Sequence, residues 1–376
     1  MSRDLHTRLF GFKMREAKMN RTSESFLTVT LLWFSLSSAS VLAEIRPMSG
    51  KTVPGFEPID QAVLEFLDKI GCQAATVAVS RDAQTLYSRG YGWSDQARRN
   101  FTPPDALMRI ASVTKPITAA AVKNAIRAQQ LSHDTKAFEL IAVKVSGGKV
   151  ADPKFNSITV GQLLEHKGGW DEGASFDPMF RTKRIEQELR LRHPAKPEDV
   201  IKYMLGQSLQ FTPGEKTVYS NFGFCVLGRV LEKATKKPYA NCVQQTVCKP
   251  LGIKDIKLGY SALKKRDKRE VWYPVAEDAF SLEVLDSLGG LIASAPALCQ
   301  FMDAYWINGD PRLQGQRGDW IFFGSLPGTT ALVRQRDDGV NIAVLLNGRR
   351  DKHFKEDDPL LKKAIDLAIE NVNLVK

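Results

Sequence analysis

The feature that most restricts the fold of this chain is the position of its strand signals, which cluster at the two ends and leave a long helical stretch between them. Residues 58–70 carry Val63, Phe66, Leu67 and Ile70 at helical spacing. Ala74 to Val79 and Thr85 to Tyr91 then read as two strands joined by a turn around Arg81-Asp82. From Ser112 to Gln130 the pattern becomes an Ala-rich helix, and helical signals continue to about residue 302, broken at Lys167-Gly168-Gly169, Thr212-Pro213-Gly214 and Leu288-Gly289-Gly290. Strands return at Trp320 to Ser325, Ala331 to Gln335 and Val340 to Leu346, the last two joined by Asp337-Asp338-Gly339, and a helix closes the chain at about 358–373. The expected class is α+β, with one antiparallel sheet built from both chain ends, flanked by the first and last helices and carrying an inserted all-helical lobe. The sheet lobe takes about residues 58–100 and 318–374, and the helical lobe about 101–317. Ligands are expected in the cleft between the lobes. A chain of 376 residues, 43% hydrophobic and 25% charged, has the composition of a globular protein and the length for two such lobes.

Residues 1–43 stand apart from this fold. Arg3, Arg8, Lys13, Arg15, Lys18 and Arg21 precede a mostly apolar run that ends at Val41-Leu42-Ala43, which reads as a secretory signal cut after Ala43 and leaves a domain over residues 44–376. Ser and Thr interrupt the run, so it falls short of a spanning helix, although an uncut signal anchor stays open, as does a start at Met19. No Cys follows the cut, so no lipid anchor is indicated. The expected location is periplasmic or secreted. The mature chain keeps 47 Lys and Arg against 39 Asp and Glu. Its basic clusters at Arg181 to Arg192 and Lys264 to Arg269 leave room for association with an anionic cell wall or membrane surface, but they are interleaved with acidic residues as solvated faces are. Export and the lack of zinc-finger or aromatic RNA-binding motifs argue against nucleic acid as a partner.

The five cysteines do not form a disulfide framework. Cys242 and Cys248 are the close pair, and on a helix they would stand about 9 Å apart along the axis, beyond the reach of one bridge. Cys72, Cys225 and Cys299 sit in apolar surroundings and read as buried thiols. With four His after residue 43 and no C-x-x-C or H-E-x-x-H spacing, neither a metal nor an organic cofactor is expected.

Ser112-Val113-Thr114-Lys115 opens the Ala-rich helix, and the three-residue spacing puts the Ser hydroxyl and the Lys ammonium on one face. A serine needs a base to become a nucleophile, and a lysine whose pKa falls on burial can be that base. The helix N-terminus adds free N–H groups suited to a developing oxyanion. A second match, Ser261-Ala262-Leu263-Lys264, runs into further basic residues with no apolar helix behind it and is discounted. Tyr219-Ser220-Asn221 follows the Thr212-Pro213-Gly214 turn, which would deliver a phenol from a loop into a cleft, where it can shuttle protons. Tyr239-Ala240-Asn241 has the same spacing but heads an amphipathic helix and reads as structural. His166 reads as a hydrogen-bonded histidine supporting its loop. There is no G-x-S-x-G elbow, and Gly50-Lys51-Thr52 lacks the first glycine of a P-loop.

In this order, Ser112-Val113-Thr114-Lys115, Tyr219-Ser220-Asn221 and the late strand Phe322-Phe323-Gly324-Ser325 resemble the class C β-lactamase and penicillin-binding protein family of serine hydrolases, which includes DD-peptidases and family VIII esterases. The flanks resemble it too: Arg109 to Pro116, Leu163 to Trp170, Phe211 to Gly214 and Pro250-Leu251-Gly252, so the similarity covers about residues 58 to 370. The resemblance implies a serine β-lactamase-like fold in which Ser112 is acylated, Lys115 is its proton partner and Tyr219 is the second base. It also implies that Asn221 holds the substrate amide or the Lys115 network, and that the N–H groups of Ser112 and Ser325 form the oxyanion hole beside Gly324.

The third motif departs from the family, which mostly carries Lys or His, then Thr or Ser, before the glycine. Phe322 and Phe323 cannot pair with a substrate carboxylate, and Arg349 or Arg350 could substitute, although both read more simply as solvated. Two phenylalanines suit an apolar acyl or alcohol group. The expected activity is therefore cleavage of a small-molecule ester or amide through a Ser112 acyl-enzyme. The alternatives are hydrolysis of D-Ala cell-wall peptides or β-lactams, and a non-catalytic binding module on the same fold.

Overall fold

The computed structural model describes residues 46–143 and 150–372. The expected signal at 1–43 lies outside the described residues. The main sheet has six strands: β1 (Met48–Ser49), β2 (Ala74–Arg81), β3 (Gln84–Gly92), and from the far end of the chain β7 (Trp320–Leu326), β8 (Thr329–Gln335) and β9 (Val340–Leu346). All pairs are antiparallel, in the order β1-β3-β2-β9-β8-β7. The two chain ends meet where β2 pairs with β9, from Ala75 opposite Leu346 to Arg81 opposite Val340. The β2–β3 turn falls one residue later than the sequence suggests, with Asp82 and Ala83 both at positive φ, as a type I′ two-residue hairpin requires.

Strand alternation explains how this sheet is covered. One face carries Val77, Val79, Ile342 and Val344, which pack with Val63, Phe66 and Leu67 of α1 (Glu57–Ile70) and with Leu361, Ile365 and Ile369 of the terminal helix at Phe354–Glu370. The other face carries small residues, Ala74, Ala78, Ala331 and Ala343, and lies in the core shared with the middle of the chain. The small side chains let other elements approach closely. The helix at Ala295–Ala304 packs there against β2 and β9, so a segment that the sequence assigns to the helical lobe covers the sheet instead.

Within the middle region, α2 (Thr114–Arg127) is buried along most of its length and packs on α3 (Asn221–Thr235). The region is not all helix. Three short strands, β4 (Met108–Arg109), β5 (Ile256–Leu258) and β6 (Leu291–Ala293), form a second sheet in the order β4-β6-β5. At two or three residues each, they are too short to leave a periodic signature. Their consequence is local: Met108 and Arg109 pair with Ala293 and Ile292, and Ile110 N–H donates to Leu291 O at 3.1 Å, which clamps the chain immediately before Ser112. All five cysteines are buried and unpaired.

Candidate active site

Ser112 lies in a single 3₁₀ turn, Ala111–Val113, that feeds directly into α2. Ala111 has φ 46°, a left-handed backbone that costs a non-glycine residue about 1 kcal/mol. The turn is held in that shape by the β4 clamp before it and the helix after it. Strand β7 crosses against it at Gly324. A Cβ there would stand 2.1 Å from Ile110 O and 3.2 Å from Ser112 N, so only a glycine lets the third-motif strand lie beside the serine.

The sequence-predicted side chains converge. Lys115 Nζ donates to Ser112 Oγ at 3.1 Å, to Asn221 Oδ1 at 2.7 Å and to Leu288 O at 2.8 Å, which uses all three donors of the ammonium. Tyr219 OH donates to the same Ser112 Oγ at 2.7 Å. Lys115 is 1% exposed, and burial lowers its pKa to about 7 against the opposing pull of Asp177 and Glu172. Its charged and neutral forms are therefore close in energy at neutral pH. Burial pushes the Tyr219 phenol up, as do Asp177 and Glu172, with the Ser112 hydrogen bond opposing. The residue is 38% exposed, yet its hydroxyl stays on the serine and keeps its proton.

Two supports went unnoticed in the sequence. Asn221, at the start of α3, donates through Nδ2 to Asp177 Oδ2 at 2.6 Å, and Asp177 also accepts from Met179 N–H at 2.9 Å. Burial raises the carboxyl pKa of Asp177, and that of the neighbouring Glu172. The Asp177-Pro178 dipeptide is a turn-capping signal that could have found the first of these. The second support is the Leu288 carbonyl, which carries no side-chain signal. Arg229 of α3 secures its segment by a 2.6 Å buried pair with Asp286.

His166 is a brace. Its Nδ1 accepts from Ser220 N–H at 3.1 Å, its carbonyl accepts from Val218 N–H at 3.0 Å, and its ring lies 4.8 Å from Tyr219 and 5.0 Å from Phe224. Burial, helped by the Lys115 charge, lowers its pKa to about 4, so it is neutral. Tyr239 is buried, with its hydroxyl 2.6 Å from Thr118 Oγ1, and Ser261 is tied to Glu283 and Phe280 O, which leaves both outside the site.

The third motif divides between the two faces of the sheet. Phe322 packs toward the core that holds the Ser112 turn, whereas Phe323 packs with the α1 side. One phenylalanine, not two, is therefore available to a ligand. Arg349 is not simply solvated: it is 13% exposed, donates to Ser325 Oγ at 3.3 Å and is held by Asp351 at 2.6 Å. Arg350 is engaged with Asp357. Among the described residues no group of three His, Cys, Asp or Glu side chains is placed to hold a metal ion.

The chain is 29% identical over 264 residues to a probable fimbrial assembly protein FimD, serogroup H1, of Dichelobacter nodosus, covering 68% of this chain and 62% of that one. It is 30% identical over 226 residues to the esterase EstB of Burkholderia gladioli, covering 59% of this chain and 53% of the relative. It thus spans less than two thirds of either curated relative. The fold is that of the D-amino acid amidase of Ochrobactrum anthropi SV3 in complex with D-phenylalanine, at a TM-score of 0.63 and 17% identity, over 84% of this chain and 100% of that one. The description of the Beta-lactamase family matches residues 59–353, from α1 through β9 and past Arg349, and the chain belongs to that family.

Proposed function

We propose that the protein is a serine hydrolase that cleaves small esters, and less readily amides, through an acyl-enzyme at Ser112. The observation that carries the reading is one oxygen, Ser112 Oγ, held at 2.7 Å by Tyr219 OH and at 3.1 Å by a buried lysine whose pKa lies near 7. Neutral Lys115 takes the Ser112 proton as Oγ bonds to the substrate carbonyl carbon. The charge that develops on the carbonyl oxygen is received by the N–H groups of Ser112 and Ser325, which Gly324 brings together. The carbon–oxygen bond to the leaving group then breaks. Tyr219 gives its proton to the departing alkoxide and regains one from Lys115. Water repeats the sequence on the acyl-enzyme, releasing the acid and restoring the Ser112 hydroxyl. Asn221 and Asp177 hold Lys115 in place throughout. The name of the EstB relative points the same way. The reading includes export, on the N-terminal sequence pattern alone.

Hydrolysis of p-nitrophenyl acetate tests it, with Ser112→Ala as the control. The variant should fold normally and lose at least about 10⁴-fold in turnover; unchanged turnover would remove Ser112 from the mechanism. A second reading, cleavage of carboxylate-bearing β-lactams or D-Ala peptides, is favoured by one contact, the Arg349 guanidinium on Ser325.

A further inference from the structure

A cavity of about 460 Å³ opens beside Lys115 and runs along α2, at the small end of the range for organic ligands. Lys115, Ala119 and Lys123 share one face of the helix, so this wall is about 12 Å long at 1.5 Å per residue. Pro116, Leu164, Phe224, Ile307 and Phe322 make the rest of the lining largely apolar, with Trp320, 41% exposed, beside them. Several polar lining residues are already paired: Lys123 with Asp310 at 2.7 Å, Asn308 with the same Asp310 at 2.9 Å, and Glu165 with Lys167 at 2.6 Å, while His133 lies exposed at the rim. The three donors of Lys115 are likewise committed to Ser112, Asn221 and Leu288. A charged group entering this space would lose its hydration with little to replace it, so the cavity suits an uncharged apolar group.

Its position says which half of a substrate it takes. Lys115 and His166 both line it, the Lys115 ammonium stands 3.1 Å from Ser112 Oγ and the His166 ring lies tilted against Tyr219 with centroids 4.8 Å apart, so it lies on the flank where a proton reaches the leaving group. Neither Ser325 and Arg349 nor Ser112 and Tyr219 themselves are among its lining residues, so the cavity begins beyond the reacting atoms, on the Lys115 side and away from Arg349. Building on the hydrolase reading above, we infer that the cavity along α2 binds the apolar alcohol portion of the ester, and that the protein prefers esters of medium-chain primary alcohols. When the bond to Ser112 forms and the ester C–O bond breaks, the alkoxide takes its proton from Tyr219 and leaves this cavity as the free alcohol. At about 1.3 Å per carbon, the 12 Å wall holds roughly nine carbons.

The test compares two ester series with the full-length protein: acetates of ethanol, butanol, hexanol and octanol, and ethyl esters of the acids of matching length. Specificity, kcat/KM, should rise about fourfold per added alcohol methylene and far less along the acid series. Leu164→Trp, which intrudes on the cavity, should collapse the octyl-to-ethyl ratio of the acetates. Trp320→Ala, at an exposed position, supplies a second variant and should lower the same ratio. Binding of 1-octanol to Ser112→Ala, read by tryptophan fluorescence and weakened in the Trp320→Ala background, checks the cavity without turnover. A flat alcohol series, or a steeper acid series, would overturn the assignment while leaving Ser112 hydrolysis standing. Octanol binding with no hydrolysis of any ester would instead overturn the hydrolase reading, and with it the assignment of the cavity to the alcohol half of an ester substrate. Neither binding nor turnover would overturn both.

Discussion

The two walls of the cleft around Ser112 are built from opposite chemistry. The wall made by α2, α3 and the Tyr219 loop is a connected polar network in which Lys115, Tyr219, Asn221 and Asp177 each have a hydrogen-bonded partner, and its pKa shifts follow from burial. The wall made by β7 offers the backbone around Gly324 and the ring of Phe322, with no cation pointing from that position. The difference separates reaction from recognition. Proton transfer needs a specific set of side chains at fixed distances, whereas the substrate is chosen by groups that can change without disturbing that set.

The largest expected effect is on the polar wall. Lys115→Met keeps the volume but removes the base, and should reduce kcat by about 10³ to 10⁴. On the opposite wall, Gly324→Ala puts a methyl group 2.1 Å from Ile110 O, pushing β7 away from the serine. It should cost about 10² to 10³ in kcat, the usual loss when an oxyanion donor is displaced, although no functional side chain is removed. Equal, small effects of both variants would erase the contrast between the walls.

A pH profile sharpens the comparison. With Lys115 near 7, kcat/KM should fall as pH drops through that value, because the protonated amine cannot accept the serine proton. Asp177 raises the Lys115 pKa, so Asp177→Asn should move this limb to lower pH. A limb that stays in place would mean that another group titrates. The smallest effect is on recognition: Phe322→Lys should improve kcat/KM for carboxylate-bearing esters by about tenfold, the scale of one exposed-to-partly-buried ion pair. No gain would mean that the missing charge at position 322 is not what limits carboxylate-bearing substrates.

The polar wall was the more legible in sequence. Ser112 and Lys115 are three residues apart across the 3₁₀ turn and the first turn of α2, and Tyr219 and Asn221 flank a helix cap at Ser220, so local spacing carries most of their geometry. Asp177 was hidden because its contact with Asn221 joins residues 44 apart, and Leu288 because it acts through a carbonyl. The β7 wall was harder to read. Which of Phe322 and Phe323 faces the serine depends on strand register, fixed only when Gly324 meets the Ser112 turn. Likewise Arg349 reaches Ser325 because β9 and β7 lie on either side of β8, a pairing no local pattern reveals. The main sheet was evident from the alternation of its strands, while β4, β5 and β6 are too short for alternation to show.

The most direct test of the account is to catch the acyl-enzyme. Protein quenched during steady-state hydrolysis of p-nitrophenyl acetate and digested for mass spectrometry should carry an acetyl group on the peptide containing Ser112, and Ser112→Ala should carry none there. Sustained turnover with that peptide unmodified, or with the acetyl group on another residue, would contradict the account.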